Sequence, residues 1–428
     1  MSAPRATSGG HDDGSLWADV RRLRAQAETD RSLPDAEVLA RIAWSVVAEP
    51  GDAVAAEVVA RLGAERGIRA ASDALTTGPV HLVSRLLEAG AAADGVEEAL
   101  FDAVSLALDR WRQRLLRLDL APVVRAGAAL GCAVLLPEDD AWPTGVDDLG
   151  PNAPLVLWCR SGMPAAFAAP LDVGPSIAVV GARANTVLGA EAAAEITSVA
   201  ADAGCTVVSG GAHGIDAVAH RVALAAGGRT VAVLAGGVDQ LYPAANTDLL
   251  LAIAARGALL AESPPGTRPS RWRFLNRNRL IAALGSATVV VEAGARSGAL
   301  NTANHAAQLG RTVFAVPGPY SSASSTGCHR LIADGRAEIV VHPRDPVDAV
   351  TGAASGAGEP GGPALALVSA REDPDVLRVV DALSRRRPLS VDEVARRAGM
   401  SLADTTDALA LAELQGVVQR TPHGWRAM

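Results

Sequence analysis

The sequence predicts a protein of the α/β class, built on a doubly wound and mainly parallel sheet, with a helical region before the sheet and a small module after it. Six short, continuously apolar runs follow one another between residues 177 and 316, and segments with helical character separate most of them. Glycine-rich turns follow several of these runs. A strand that is apolar at every position is buried on both faces, as in a parallel sheet covered by helices. The 428 residues are enough for two or three domains.

The N-terminal part is predicted to be helical after an initial tail. The first residues are small, polar and rich in glycine, so residues 1–30 are expected to form a disordered or weakly ordered tail. In residues 31–120, apolar side chains recur at three- and four-residue spacing, and strand signals are absent. These residues are therefore expected to form a small helical domain.

Residues 121–345 are predicted to form the sheet domain. Two short runs, Ala133–Leu136 and Leu155–Trp158, are candidates for a leading pair of strands. Six further runs then alternate with helix-compatible segments, which is typical of repeated βαβ units. These predicted strands are Ile177–Val180, Thr206–Val208, Thr230–Leu234, Ala258–Leu260, Thr288–Val291 and Thr312–Val316.

The C-terminal segment is predicted to be a linker followed by a small module. Residues 346–370 include a stretch rich in glycine, alanine, serine and proline, and they are expected to be a flexible linker. In residues 371–428, three helical stretches precede a short hairpin with its turn at Pro422–Gly424, an order that indicates a winged helix. The helical stretches are Val376–Leu383, Val391–Ala398 and Leu402–Leu414.

Composition excludes several classes of protein. The chain has no lysine, which a Walker A phosphate loop requires. A dinucleotide-binding G-x-G-x-x-G is missing after the first strand of the βαβ series, and Ser209 stands where an acid would hold a ribose, so no cofactor is expected. No apolar run reaches the ~20 residues needed to cross a bilayer. The four cysteines form no C-x-x-C pair. We therefore expect a cytoplasmic protein with reduced thiols and no membrane partner.

Glycine-rich turns after the predicted strands supply the first candidate binding residues. Ligands of a doubly wound sheet bind at the carboxyl ends of the strands, where turns lead into helix N-termini whose free N–H groups attract anions. Glycine lets the backbone come close to a phosphate, and arginine adds a bidentate charge. Glycine also fills such turns for conformational reasons alone, so a passive role stays open. The candidates are Gly181, Arg183, Ser209, Gly210 and Gly211.

A basic segment with aromatic residues supplies the second set of candidates. Residues 268–279 hold five arginines, two aromatic residues and no acid, in a chain with a formal net charge of −8 and 3% aromatic residues. Arginine neutralises backbone phosphates and aromatic faces stack on unpaired bases, a combination suited to single strands. The alternative is a solvated loop or an intrachain partner for Glu262 and Glu292. The candidates are Arg271, Phe274, Asn276, Arg277, Asn278 and Arg279.

A third group of candidates follows the predicted strand that ends near Glu292. Ser297, Gly298 and Thr302 are small or hydroxyl residues between that strand and a helix, and they are candidates for phosphate contact. Ser297 is an equally good candidate for a helix cap. The histidines of the domain show no metal-ligand spacing with a carboxylate, and no serine lies in a G-x-S-x-G elbow. We therefore predict no catalytic residue, no metal site and no enzymatic reaction.

Together these residues resemble the DprA (Smf) family of DNA-processing proteins. The resemblance covers about residues 177–335, with the blocks in matching order and spacing. The helical N-terminal region, which would be SAM-like, and the winged helix occupy the places expected in longer family members. The matching blocks are Gly181–Arg183, Ser209–Asp216, Tyr242–Pro243 with Asn246, Arg277–Ile281, Val290–Ala293, Ser297–Gly298 with Thr302–Ala303, and Val316–Gly318.

The resemblance implies an extended Rossmann-like domain that forms a homodimer, binds single-stranded DNA in a basic pocket and helps load the RecA recombinase during natural transformation. It also implies that Arg183 and Arg271 bind phosphates, that Phe274 stacks on a base, and that residues 276–279 shape the pocket floor. Three positions depart from the usual family pattern, with alanine for serine, leucine for proline and asparagine for an apolar residue; they are Ala182, Leu275 and Asn301.

Two other functions stay open. One is a nucleotide-processing enzyme similar to the nucleotide phosphoribohydrolases, which would be expected to show Pro-Gly-Gly-x-Gly-Thr where this chain has Glu292–Ala295. The other is a structural or regulatory protein that works through its winged helix, which leaves the arginine cluster without a purpose. The predicted recognition helix Leu402–Leu414 carries three acidic and no basic residues. We expect it to contact protein or to shield the basic site, because it would repel the phosphates of a duplex.

Overall fold

The computed structural model divides the chain into two compact units, Met1–Gly356 and Ala357–Met428. The predicted helical and sheet domains thus belong to one compact unit. The structure describes residues 13–25, 33–90, 97–162, 174–352, 374–384, 387–414, 417–421 and 424–427.

A nine-stranded sheet forms the centre of the first unit, and it confirms the predicted α/β class with a doubly wound, mainly parallel sheet. The strand order is β1-β2-β6-β5-β4-β3-β7-β8-β9. The seven strands from β6 through β5, β4, β3, β7 and β8 to β9 are parallel, and β1 and β2 are added antiparallel at one side. The strands are β1 (Ala133–Leu135), β2 (Leu157–Arg160), β3 (Ser176–Gly181), β4 (Thr206–Ser209), β5 (Thr230–Val233), β6 (Ala258–Ala261), β7 (Ala287–Glu292), β8 (Thr312–Ala315) and β9 (Glu338–Ile339).

Helices cover both faces of the sheet because successive residues of a strand point to opposite sides. Ile177 and Val179 of β3 pack in one apolar cluster with α8, α9 and α14, while Ala178 and Val180 pack in another with α11, α12 and α13. All four of these side chains are buried. The helices of the sheet region are α8 (Val187–Asp202), α9 (Ile215–Ala225), α10 (Thr247–Arg256), α11 (Arg271–Leu284), α12 (Ala299–Gln308), α13 (Thr326–Ala333) and α14 (Asp345–Thr351).

The N-terminal region is helical and has its own apolar cluster. Trp44 and Trp111 meet edge to face there, with ring centroids 5.1 Å apart. The Asp52 carboxylate accepts hydrogen bonds from the amides of Val54 and Ala55 and so caps the third helix. The helices are α1 (Asp13–Ala25), α2 (Asp35–Val47), α3 (Ala53–Leu62), α4 (Ala64–Thr77), α5 (Pro79–Glu88), α6 (Glu97–Leu116) and α7 (Ala121–Ala129).

Two expected irregular segments are helical where the structure describes them. Part of the expected tail forms α1, because Val20 and Leu23 bury their side chains fully in the cluster that also holds the sheet residue Trp158. The start of the expected linker forms α14, in which Pro346 and Val347 are buried. The remainder of the expected linker lies outside the described residues.

The second unit has the expected elements of a winged helix. Helices α15 (Pro374–Ala382), α16 (Val391–Ala398) and α17 (Leu402–Leu414) precede two antiparallel strands, β10 (Val418–Thr421) and β11 (Gly424–Ala427). One apolar cluster joins the three helices to the hairpin. In the part of the chain that the structure describes, no helix combines the length and the apolar character needed to span a membrane.

Candidate nucleic-acid interface

A cleft of about 470 Å³ opens at the carboxyl ends of β3 and β7. These strands are hydrogen-bonded neighbours, and the chain runs outward from them in opposite directions, to β4 on one side and to β8 on the other. This is the topological switch point of the sheet, where doubly wound proteins bind their ligands. Eight of the candidate residues line the cleft, namely Gly181, Arg183, Phe274, Arg277, Asn278, Ser297, Gly298 and Thr302.

A cation and an aromatic ring meet at the mouth of the cleft. The guanidinium carbon of Arg183 lies 5.4 Å from the ring centroid of Phe274, within the range of a cation–π contact. Arg183 is exposed and Phe274 is partly exposed. Arg271 is exposed at the start of α11, one helical turn before Phe274, although it does not line the cleft. Arg183 and Phe274 therefore meet from two separate chain segments, and Arg271 lies on the same helix as Phe274.

Arg277 has a structural position beneath this surface. Its guanidinium lies 6.0 Å from the Phe274 ring, and its Nη1 donates a hydrogen bond of 2.6 Å to the carbonyl oxygen of Val233. Burial lowers the pKa of Arg277 to about 10, and the nearby Asp216 carboxylate opposes that shift. Arg277 therefore remains charged at neutral pH. Because it is buried, we assign it to holding Phe274 and the strand ends in place.

The start of α12 forms the opposite wall of the cleft. Asn278 donates from Nδ2 to the carbonyl oxygen of Gly298 at 3.3 Å and to Oδ1 of Asn301 at 3.2 Å. Ser297 Oγ accepts a hydrogen bond of 3.3 Å from the amide of Ala299, the first residue of α12, whereas Gly298 holds the N-cap position and supplies no side-chain cap. A side chain added at Gly298 would meet open space. Asn278 thus positions the turn, and the backbone at Gly298 is open to a ligand.

Two carboxylates of this chain already accept hydrogen bonds from backbone amides beside the cleft. Glu292 accepts a hydrogen bond of 2.9 Å from the amide of Thr186 at the start of α8. Asp216, at the start of α9, accepts hydrogen bonds from the amides of Gly210 and Ala212 at 3.2 and 3.3 Å. Burial raises the pKa of Asp216, and the charge of Arg277 opposes that shift. A bound phosphate is therefore expected at the start of α12 rather than at the start of α8 or at the amides of the turn after β4.

The glycine-rich turn after β4 differs from its predicted role. Ser209 is fully buried and donates its hydroxyl proton to the carbonyl oxygen of Val179 at 2.6 Å. Gly210 is required because the Arg277 guanidinium occupies the space that a side chain would need. Gly211 has a positive φ of 66° and leaves room for Leu250. These three residues form no part of the cleft lining, and their positions are filled by protein groups.

Asn276 and Arg279 also lie away from the cleft. Asn276 donates to the carbonyl oxygen of Pro50, in the loop between α2 and α3. Arg279 forms a 2.6 Å ion pair with Glu262, with side chains only 4% and 11% exposed. Asn276 and Arg279 are three positions apart in α11, so they lie on one face of that helix and both contact other parts of the chain. For Arg279, the structure thus shows the alternative to a binding role, an intrachain ion pair with Glu262.

Arg296 is a cleft residue that the candidate list omits. It is exposed and lies between the end of β7 and Ser297, among the lining residues. Its place in the turn between the buried strand β7 and α12 could have indicated it, because the other candidates of this edge lie in such turns.

Comparison with known proteins decides the family. Residues 133–351 match the family model for DNA recombination-mediator protein A, and residues 363–424 match that for the DprA winged helix domain. A putative DNA processing protein DprA of Mycobacterium tuberculosis (strain CDC 1551 / Oshkosh) is 43% identical over 326 residues, which are 72% of this chain and 79% of the relative. The chain belongs to the DprA family. The predicted resemblance is thereby confirmed.

Other members of the DprA family extend the similarity to a solved structure. The DNA processing protein DprA of Streptococcus pneumoniae (strain ATCC BAA-255 / R6) is 38% identical over 207 residues, covering 48% of this chain and 70% of the relative. The X-ray structure of DprA from Streptococcus pneumoniae aligns with a TM-score of 0.56 at 27% identity, over 74% of this chain and 98% of that chain. The DprA-family fold therefore extends well beyond the residues that carry the motifs.

Proposed function

We propose that this DprA-family protein binds single-stranded DNA in the cleft between β3 and β7, acts in the cytoplasm, and helps load a RecA recombinase during natural transformation. The observation that carries the proposal is the exposed Arg183 guanidinium 5.4 Å from the Phe274 ring at the switch point. An arginine can bind a backbone phosphate while the ring stacks on an unpaired base. A duplex keeps its bases stacked inside, so this pair favours a single strand.

The arrangement of acidic groups supports a binding protein over a nucleotide-processing enzyme. Asp216 is the one carboxylate among the described residues that line the cleft, and two backbone amides hold it. Glu292 is buried and engaged by the amide of Thr186. A hydrolase of the phosphoribohydrolase kind would need a carboxylate free to act as a general base or nucleophile, whereas both of these carboxylates are buried and engaged by backbone amides.

A recombinase and a second copy of the chain are the proposed protein partners. The family description, a recombination mediator, supports the recombinase. The homodimer is supported by the edge strand β9, whose residue Ile339 is exposed, and by the exposed Val341 that follows it. An exposed apolar sheet edge is a surface that proteins commonly cover by pairing.

The test is fluorescence anisotropy with a labelled oligothymidylate over a series of salt concentrations. Arg183→Ala is expected to weaken binding and to lower the salt slope by ~0.7, the value for one lost phosphate contact on a single strand. Arg85→Ala, which removes an exposed arginine of α5, is the matched control and should leave affinity and slope unchanged. Equal binding by the wild type and Arg183→Ala would contradict the proposed site.

A further inference from the structure

A tyrosine ring extends the aromatic surface of the cleft beyond Phe274. The ring centroids of Tyr242 and Phe274 are 5.6 Å apart, with the planes tilted by 56°. Phe274 lines the cleft and Tyr242 does not. Tyr242 therefore extends the aromatic surface past the cleft lining, while Arg183 approaches the Phe274 ring. The two rings and the guanidinium form one continuous surface.

Tyr242 leaves much of its ring in solvent, although aromatic residues are scarce in this chain. The chain has two tyrosines, and Tyr242 is 52% exposed. A ring needed only for packing would be buried more completely, because burial of aromatic area is what stabilises it. An exposed ring beside a second ring and a cation is instead a surface suited to stacking.

The backbone around Tyr242 is held on both sides. Asn246, which follows it by one short turn, is buried and donates from Nδ2 to the carbonyl oxygens of Gly211 and Ala212, at 3.0 Å each. Before it in the chain, Asp239 accepts a hydrogen bond of 2.9 Å from the amide of Gly266. The tyrosine is thus presented from a fixed loop, so little conformational entropy is lost when a ligand stacks on it.

We propose that Tyr242 stacks on the base next to the one bound at Phe274, so that each cleft holds two successive nucleotides. This inference rests on the proposed function. Stacking tolerates every base because each has a π-face, so Tyr242 adds affinity without sequence preference. It neutralises no phosphate, which separates its contribution from that of Arg183 in a salt titration.

The experiment measures oligothymidylate binding by anisotropy for Tyr242→Ala, Tyr242→Phe and Tyr320→Ala. The last removes the other tyrosine, which is 95% exposed after β8, and serves as the control. Tyr242→Ala is expected to weaken binding between about 5-fold and about 150-fold with an unchanged salt slope. Tyr242→Phe and Tyr320→Ala should bind as the wild type does. An unchanged affinity for Tyr242→Ala, or a loss for Tyr242→Phe equal to that for Tyr242→Ala, overturns the inference.

Competition by short ligands separates stacking from mere support of Phe274. Thymidine 5′-monophosphate and the thymidine dinucleotide compete with the labelled strand at matched ionic strength. If Tyr242 holds a second base, Tyr242→Ala and the better-packed Tyr242→Leu lower the affinity for the dinucleotide and leave that for the mononucleotide unchanged. Equal loss for both ligands would show that Tyr242 only positions Phe274, and the inference would fall. Absence of any binding by the wild type would instead contradict the proposed function.

Discussion

Replacing Arg279 by methionine is expected to destabilise the protein without removing a DNA contact. Its guanidinium pairs with Glu262 at 2.6 Å, and the amide of Gly51 donates to the other carboxylate oxygen at 2.9 Å. Both side chains are nearly buried, so Arg279→Met leaves an uncompensated buried carboxylate. Breaking a buried pair in this way costs about 3–5 kcal/mol. Replacing the pair by neutral side chains costs little, so Arg279→Met/Glu262→Gln is expected to recover most of the free energy of unfolding.

The loss depends on pH. Burial raises the pKa of Glu262 above its ordinary value of 4.5, and Arg279 opposes the shift. Without Arg279 the folded-state pKa rises further above the unfolded value, so the folded state binds more protons than the unfolded state between the two. The free energy of unfolding of Arg279→Met should therefore rise as pH falls through this window, by up to about 1.4 kcal/mol per pH unit. The double variant should lack this dependence.

Urea unfolding at pH 7 and pH 5, followed by tryptophan fluorescence, measures both effects. The salt slope of oligothymidylate binding by the double variant provides the functional readout, and it should equal that of the wild type. Two results would refute the reasoning. One is a single variant as stable as the wild type at pH 7, since the pair would then not be buried from water. The other is a slope lowered by ~0.7, since Arg279 would then contact a phosphate.

Two further predictions concern acid stability and the winged helix. His220 is buried with its Nδ1 2.8 Å from Thr230 Oγ1, and burial lowers its pKa to about 3. Its neutral form therefore stabilises the fold above pH 6.5, and this contribution is lost as pH falls. His220→Leu should flatten the pH profile of the urea midpoint between about pH 7 and about pH 4, and parallel profiles of the variant and the wild type would contradict this. Residues 357–428 alone should not shift duplex DNA in an electrophoretic assay at physiological salt. Asp404, Asp407 and Glu413 are exposed on α17 and would repel the phosphates of a duplex. A clear shift of the duplex would contradict this prediction.

The sheet could be predicted because its strands are apolar at nearly every position. Runs such as Val289–Val291 have no polar alternate, and burial on both faces follows from that pattern alone. The positions of the predicted strand ends also place Arg183 and Ser297 at one edge of the sheet. The structure puts both among the residues that line the same cleft.

The two faces of α11 could not be assigned from the sequence. Helical spacing groups Phe274 with Arg277 and Asn278, but it does not say which face meets the cleft. That choice depends on partners distant in the chain, such as Glu49, which pairs with Arg273 across 224 positions. Composition also led to a wrong prediction for Asp13–Ala25, since a short amphipathic helix can become ordered against a surface that exists only after folding.

The charge distribution at the cleft limits how much electrostatics can contribute to binding. Glu292 engages the start of α8, and Asp216 engages amides of the turn after β4. Positive potential therefore comes from the start of α12 and from exposed arginines, chiefly Arg183, Arg271 and Arg296. Three phosphate contacts give a salt slope of about −2 on a single strand. Further affinity would come from stacking at Phe274 and, as proposed, at Tyr242. In the proposed homodimer, two clefts acting on one strand would raise the affinity again without new contacts in either cleft. A dimer would therefore determine the strength of binding, while each cleft determines the kind of ligand.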